Sequence, residues 1–441
     1  IVNIFKVPEL RKKIAFTAAL LFVFRLGGIV LVPGVDREVV KQFIAFSETG
    51  AGSIFGLYNL FAGGFFSQFS IFALGIMPYI SASIIIQLMS TVVPYFQRLQ
   101  KEGEAGRKKI TQVTRYLTVL ISAMQAYGIV AVFLPSMSSA GQSVVINPGF
   151  SFIFTGTICL ITGTILLMWL GERITERGIG NGISLIIMIG IVSRLPNVIV
   201  SEITLINEGV RSVLSELILL AIMFAVISFV VLLTQGTRKI PVSYAKRVVG
   251  RKVYGGQSTH IPLKVNTAGV MPIIFAQSIM FIPSTIATFF SESNFMQNVM
   301  RWFSFDHPFY WIVFGLMIVF FTYFYTAIAF DPTQVSQQMK QHGGFIPGIR
   351  PGKKTAEYID NILSRVTLPG SFALAAVAVF PYILMQLMDV SYDLASFFGG
   401  TSLLIIVGVA LDTLQQIESH LMSRHYDGFL AKGKIRGRRR I

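Results

Sequence analysis

Apolar runs of about twenty residues, each long enough as a helix to cross the roughly 30 Å hydrocarbon layer of a bilayer, recur along this chain. There are ten, at 14–32, 70–93, 116–134, 150–170, 179–192, 217–234, 268–290, 309–330, 368–388 and 397–411. Backbone N–H and C=O groups find no water in hydrocarbon, so each run has to close its hydrogen bonds internally, as a helix. Only 13% of the 441 residues are charged, against about 25% in soluble domains. The expected fold is therefore an all-α polytopic membrane protein of ten transmembrane helices, and not a string of soluble domains.

The connections carry a strong asymmetry. Counted by alternate sides, 30 Lys and Arg fall on one side, including both terminal segments, and five on the other; Arg25, inside the first run, and Arg115, at the edge of the third, complete the 37. Basic residues are retained in the cytoplasm, so both termini are expected there. Topology thus accounts for most of the net charge of +16, with attraction to anionic membrane lipid as a secondary use and nucleic acid as a poor explanation. The first run follows Lys6, Arg11, Lys12 and Lys13, as a signal peptide's would. It is too long, contains Arg25 and lacks a small-residue cleavage site, so it is read as a span. Because Ile1 and not Met opens the sequence, residues ahead of it are expected. Five runs precede about residue 200 and five follow, so halves 1–200 and 201–441 enter from opposite sides and an inverted repeat is allowed.

Between Glu48 and Arg98 lie 49 residues without a formal charge, too many for one crossing and awkward for two. The piece 56–68 predicts a short half-helix that enters and turns back, broken by Gly63 and Gly64. Irregular backbone at that depth needs protein or a water-lined cavity around it; the alternative is an amphipathic helix lying in the interface. Two connections, about 235–266 and 331–366, are unusually long. Lys239 to Arg247 alternates apolar and polar residues, and Gly255-Gly256 supplies a turn, which predicts a protruding hairpin. The second presents Arg350 in a Pro/Gly turn. Both read as docking surfaces, or else as solvated loops.

Enzyme signals fail their context tests. Gly352-Lys353-Lys354-Thr355 lacks the Gly a phosphate loop needs at 347, where Pro347 stands, and Gly50-Ala51-Gly52 follows no strand. The five His lie in connections or the tail, no Asp or Glu sits mid-span, and Cys159 is the sole cysteine, read as a packed thiol. No metal, cofactor or catalytic site is expected. Arg25, placed mid-span at a cost of about 2.5–3.5 kcal/mol on insertion scales, is expected to face protein or water. Either it pairs structurally or snorkels, or it touches a passing segment.

Five stretches carry a resemblance. Gly75-Ile-Met-Pro-Tyr-Ile-Ser-Ala-Ser-Ile-Ile-Ile-Gln87, Lys101-Glu-Gly-Glu-Ala-Gly-Arg107, Glu176-Arg-Gly-Ile-Gly-Asn-Gly-Ile183, Gly256-Gln-Ser-Thr-His-Ile-Pro-Leu-Lys-Val-Asn266 and Phe345-Ile-Pro-Gly-Ile-Arg-Pro-Gly352 together resemble the bacterial SecY family over nearly the whole chain. The resemblance implies a protein-conducting channel of the cytoplasmic (inner) membrane that passes unfolded preproteins and is not an enzyme. It implies a plug at Leu57, Tyr58, Asn59, Leu60, Phe61, Ala62, Gly63, Gly64, Phe65, Phe66, Ser67, Gln68 and Phe69. It also implies an apolar pore ring of Ile80, Ile84, Ile187, Ile191, Ile274 and Ile405, and a lateral gate between spans two/three and seven/eight. The implied partners are the SecE and SecG membrane subunits, the SecA ATPase motor and the ribosome, the last two docking on Arg238, Lys239, Lys246, Arg247, Arg251 and Arg350. From the residues alone, a secondary transporter or a non-conducting membrane scaffold are the competing readings.

Overall fold

The computed structural model describes residues 7–36, 38–40, 59, 62–136, 138–139, 142–244, 247–249, 252–254, 258–289, 294–303, 307–388, 394–395, 397 and 400–432. A helix occupies each of the ten predicted positions. In order these are α1 (Pro8–Gly27), α2 (Met77–Val92) with α3 (Pro94–Lys101), α4 (Glu104–Tyr127), α5 (Phe150–Arg177), α6 (Gly182–Val192) with α7 (Leu195–Asn207), and α8 (Val213–Gln235). After the first long connection come α9 (Met271–Phe289), α10 (Asn294–Trp302), α11 (Pro308–Ala329), α12 (Pro332–Gln341), α13 (Lys353–Met388) and α14 (Gly400–Lys432). Among the described residues seven helices are long and apolar enough to cross a membrane, and α2 with α3 adds an eighth.

The described residues group into two compact units. One draws on Ile1–Thr49, Phe55–Arg194 and Gly408–Ile441, the other on Leu195–Val407. In the first unit α4 packs against both α2 and α5, and α1 against α5. In the second, α11 packs against α9 and α13.

Two boundaries differ from the sequence expectation. The second span starts at Met77, not at Ser70, because Gly75 takes a φ of 57° and the Ser70 hydroxyl accepts the Phe72 N–H at 3.2 Å, which holds a turn. It ends where Val93, extended before Pro94, cannot stay helical; α3 leaves at 94° to α2. The second long connection is largely helical: α12 begins on Asp331, whose carboxylate accepts the Thr333 N–H at 2.8 Å, and α13 already starts at Lys353.

The stretch Glu176 to Ile183 is a tightly packed corner between α5 and α6, in which side chains satisfy backbone donors. The Ile179 N–H donates to the Thr17 hydroxyl (3.1 Å), the Gly180 N–H to Gln416 Oε1 (2.9 Å) and the Gly182 N–H to the Thr175 hydroxyl (2.9 Å). Asn181 Oδ1 caps α6 by accepting from the Ile183 and Ser184 N–H groups at 3.1 and 3.3 Å. One corner thereby joins α1, α5, α6 and the last helix. At Gly182 a Cβ would fall 2.0 Å from the Gly171 carbonyl oxygen, a backbone atom that cannot rotate aside. Gly182→Ala is therefore expected to lower the unfolding temperature of the purified protein in detergent by several degrees, as core overpacking of about 1–3 kcal/mol does. An unchanged melting curve would show that the corner relaxes freely.

Candidate functional site

The irregular segment predicted between the first two spans is held within the first unit by hydrogen bonds of Asn59, Ser67 and Arg25. Leu57, Tyr58, Leu60 and Phe61 lie outside the described residues. Asn59 is helical, whereas Ala62, Gly63, Gly64, Phe65, Phe66, Ser67, Gln68 and Phe69 run as consecutive turns in place of the expected half-helix. The cause is backbone torsion: φ is 73° at Gly63, 84° at Gly64 and 47° at Phe69, values a right-handed helix does not contain. Asn59 ties the turns together. Its Oδ1 accepts the Ser67 N–H at 3.0 Å, and its carbonyl accepts the Gly64 N–H at 2.8 Å. The Ser67 hydroxyl donates to the Gly64 carbonyl at 2.9 Å. At the far end, the Val32 N–H donates to the Phe69 carbonyl (3.1 Å) and the Ile71 N–H to the Val30 carbonyl (2.9 Å), so the segment is stitched to the chain leaving α1.

Arg25, in the last turn of α1, settles against this segment. Its Nη1 donates to the Gly63 carbonyl at 3.1 Å, and its guanidinium carbon stands 4.9 Å from the Phe65 ring centroid. These contacts pair Arg25 with the segment. The Phe65 ring belongs to an aromatic group with Phe24 and Phe72, with centroids 5.2–6.1 Å apart. Two glycines make the space: a Cβ at Gly28 would lie 1.8 Å from the Phe65 ring and one at Gly27 2.2 Å from that of Phe72.

The segment rests on backbone, not on side chains. A Cβ on Gly63 would stand 2.9 Å from the Gly190 Cα, one on Gly190 3.1 Å from the Gly63 Cα, and one on Gly75 3.1 Å from the Ala62 Cα. Gly190 lies on α6 between Ile187 and Ile191, and Gly75 lies just ahead of α2, which carries Ile80 and Ile84. All four isoleucines are buried. Ala62, Phe66 and Phe69 join the buried cluster of Val32, Val130, Leu134 and Leu160. In the second unit, Ile274 on α9 and Ile405 on α14 are each buried. Sequence reasoning missed Gly190, because a glycine within an apolar helix reads only as a weak helix former; its placement three and one residues from two candidate ring positions was the available signal.

The two long connections form one structure. Strand β1 (Thr237–Tyr244) pairs antiparallel with β4 (Ser258–Lys264) in a register running from Thr237 opposite Lys264 to Ser243 opposite Ser258. Between them β2 (Arg247–Val249) and β3 (Lys252–Tyr254) make a second small hairpin. The expected hairpin is thus present. The unexpected part is β5 (Gly344–Phe345) from the second connection, which pairs with the end of β1, Ser243 opposite Phe345. Ile240, Val242, Leu263, Met339, Ile346 and Ile359 close a core beneath the sheet. Arg238, Lys239 and Arg350 are exposed. Lys246 and Arg251 lie outside the described residues, and Arg247 is in β2. The Arg350 loop is fixed from below: the Thr355 hydroxyl donates to the Arg350 carbonyl at 2.9 Å and the Ser336 hydroxyl to the Gly352 carbonyl at 2.7 Å. A rigid backbone therefore presents a solvated guanidinium.

Fold and segment define a polytopic helical membrane protein with an irregular stretch buried inside its first unit. The SecY family profile matches residues 70–414. The protein translocase subunit SecY of Escherichia coli K12 is 45% identical over 432 residues, which are 97% of this chain and 96% of that protein. Two solved structures share the fold at 17% identity, each over 93% of this chain and 92% of theirs. One is described as the structure of a protein conducting channel (TM-score 0.64). The other concerns the plug domain of the SecY protein, said to stabilise the closed state of the channel and maintain a membrane seal (TM-score 0.62). The chain belongs to the SecY family.

The contact between Gly63 and Gly190 generates a prediction. Gly190→Val puts a branched side chain where the two backbones meet, and resting ion conductance of reconstituted vesicles is expected to rise severalfold. Vesicles as tight as those of the parent protein would show that this contact does not seat the segment.

Proposed function

We propose that this chain is the protein-conducting subunit of a bacterial translocase, in the cytoplasmic (inner) membrane with both termini in the cytoplasm. The observation that carries this reading is the buried turn segment at 62–69 seated on Gly190, beside Ile187 and Ile191, in a chain of the SecY family. The segment is the plug. Ile80, Ile84, Ile187, Ile191, Ile274 and Ile405 form the pore ring, an assignment supported by their burial and by the helical spacing of two pairs, each four residues apart. β-Branched side chains are stiff at the first torsion. A collar of them offers no hydrogen bond to any sequence passing through, and it opposes ions by dewetting.

Halves 1–200 and 201–441 part at a lateral gate between the α2/α4 pair and the α9/α11 pair. A signal sequence or membrane span leaves through it because each Leu or Ile gains about 0.3–0.6 kcal/mol at the membrane centre. The work of moving unfolded preproteins comes from outside this chain, from the SecA ATPase or the ribosome. These dock on the sheet and loops carrying Arg238, Lys239, Lys246, Arg247, Arg251 and Arg350. SecE and SecG complete the membrane complex, and anionic lipid meets the basic cytoplasmic face. The chain acts as a conduit and uses no cofactor.

The test is transport itself. Vesicles holding the chain with SecE, SecG and SecA are expected to take up an unfolded preprotein on ATP addition, and failure to do so would refute the reading. Arg350→Glu is expected to reduce that uptake at least tenfold while yield and melting temperature stay unchanged, since its side chain is solvated and its loop is held by Ser336 and Thr355. Parent-level uptake by this variant would remove Arg350 from the docking surface.

A further inference from the structure

Arg25 is a charge placed where the membrane penalises charge, and it spends its hydrogen bond on a main-chain atom of the plug. The Gly63 carbonyl is available as an acceptor because Gly63 and Gly64, with φ of 73° and 84°, turn the chain out of helical conformation and free it from a helical partner. The guanidinium reaches it at 3.1 Å and at the same time stands 4.9 Å from the Phe65 ring centroid, within the range of a cation–π contact. Gly27 and Gly28, which follow Arg25, clear the volume that the Phe72 and Phe65 rings occupy. Arg25, Phe65 and the Gly63 carbonyl all belong to the first unit. The end of α1 and the residue after it thus offer a planar, multi-donor cation and two glycines to a single turn.

We propose that Arg25 is the clasp of the plug: a positioning residue that holds the turn 62–69 against α6 through a charge-assisted bond to the Gly63 carbonyl and through the Phe65 ring. The inference rests on the channel reading above and adds the residue that sets how readily the plug leaves. On the plug side the acceptor is backbone, so the clasp is insensitive to plug side-chain changes that leave Gly63, Gly64 and Phe65 in place. On the α1 side it needs the guanidinium. Lysine supplies charge and three ammonium donors, but no plane to lie over the ring.

The test compares the parent with Arg25→Met, Arg25→Lys and Phe65→Leu, each with Cys159→Ser and Gln68→Cys, reconstituted with SecE, SecG and SecA. Two readouts are taken at rest: ion conductance, and the rate at which a membrane-impermeant maleimide labels Cys at position 68. Gln68 is half-buried in the seated turn, so labelling reports plug displacement. Arg25→Met is expected to raise both about tenfold, with Arg25→Lys and Phe65→Leu in between, while ATP-driven preprotein uptake persists and shows that the protein is folded. Tight vesicles with parent-level labelling in Arg25→Met overturn the clasp. A leak without faster labelling also overturns it, because ions then pass a seated plug. Should Arg25→Met fail to fold, Arg25→Lys and Phe65→Leu decide, and parent behaviour in both overturns the proposal. If the parent itself takes up no preprotein, the channel reading falls and the clasp with it.

Discussion

The peptide groups of residues 62–71 have to be satisfied without a helix and away from bulk water, and much of the first unit is arranged around that requirement. An unpaired N–H or C=O costs several kilocalories per mole in hydrocarbon. Here the partners come from three directions. Asn59 and Ser67 act from within the segment, the strand-like exit of α1 pairs with residues 69 and 71, and Arg25 reaches in from the side. What remains is apolar and close-packed. Phe65 and Phe72 fill spaces that Gly28 and Gly27 leave open, and the segment touches α6 through Gly63 and Gly190 with no side chain between. The segment is packed like protein interior. As the proposed plug it depends on few bonds, each of which a passing chain would have to replace.

The two long connections solve the opposite problem. The docking surface proposed for them has to stand in water and stay rigid while bearing charge. β1 alternates, burying Ile240 and Val242 and exposing Lys239 and Pro241, and β5 locks the second connection onto the first. A partner binding the hairpin therefore bears on α12 and α13 as well, because Met339 and Ile359 share the core beneath the sheet.

Much of this was legible in the sequence, for identifiable reasons. Long apolar runs place helices almost without regard to tertiary context, and all ten positions hold one. The β1–β4 hairpin followed from alternation and a Gly-Gly turn. Other features depended on contacts between residues far apart in the chain. β5 is two residues long and pairs with a strand about a hundred positions earlier, a separation local patterning does not reach. Residues 62–69 had apolar content suited to a helix, and the outcome turned on three positive φ values and on the Asn59 carboxamide. The roles of Gly190 and of the Arg25 partner were hard to read for the same reason: a notch and a carbonyl acceptor are properties of the neighbouring backbone, not of the residue that uses them, and Gly190 offered only its place beside Ile187 and Ile191 as a signal.

The central claim is that buried isoleucines line a path for polypeptide. It is tested most directly by placing a photo-crosslinker at Ile84, reconstituting the chain with its translocase partners, and stalling a preprotein that ends in a folded block during ATP-driven export. The account predicts adducts between the stalled preprotein and position 84, and none at exposed Phe224 on α8. Absence of adducts at position 84 in vesicles that still export would contradict it.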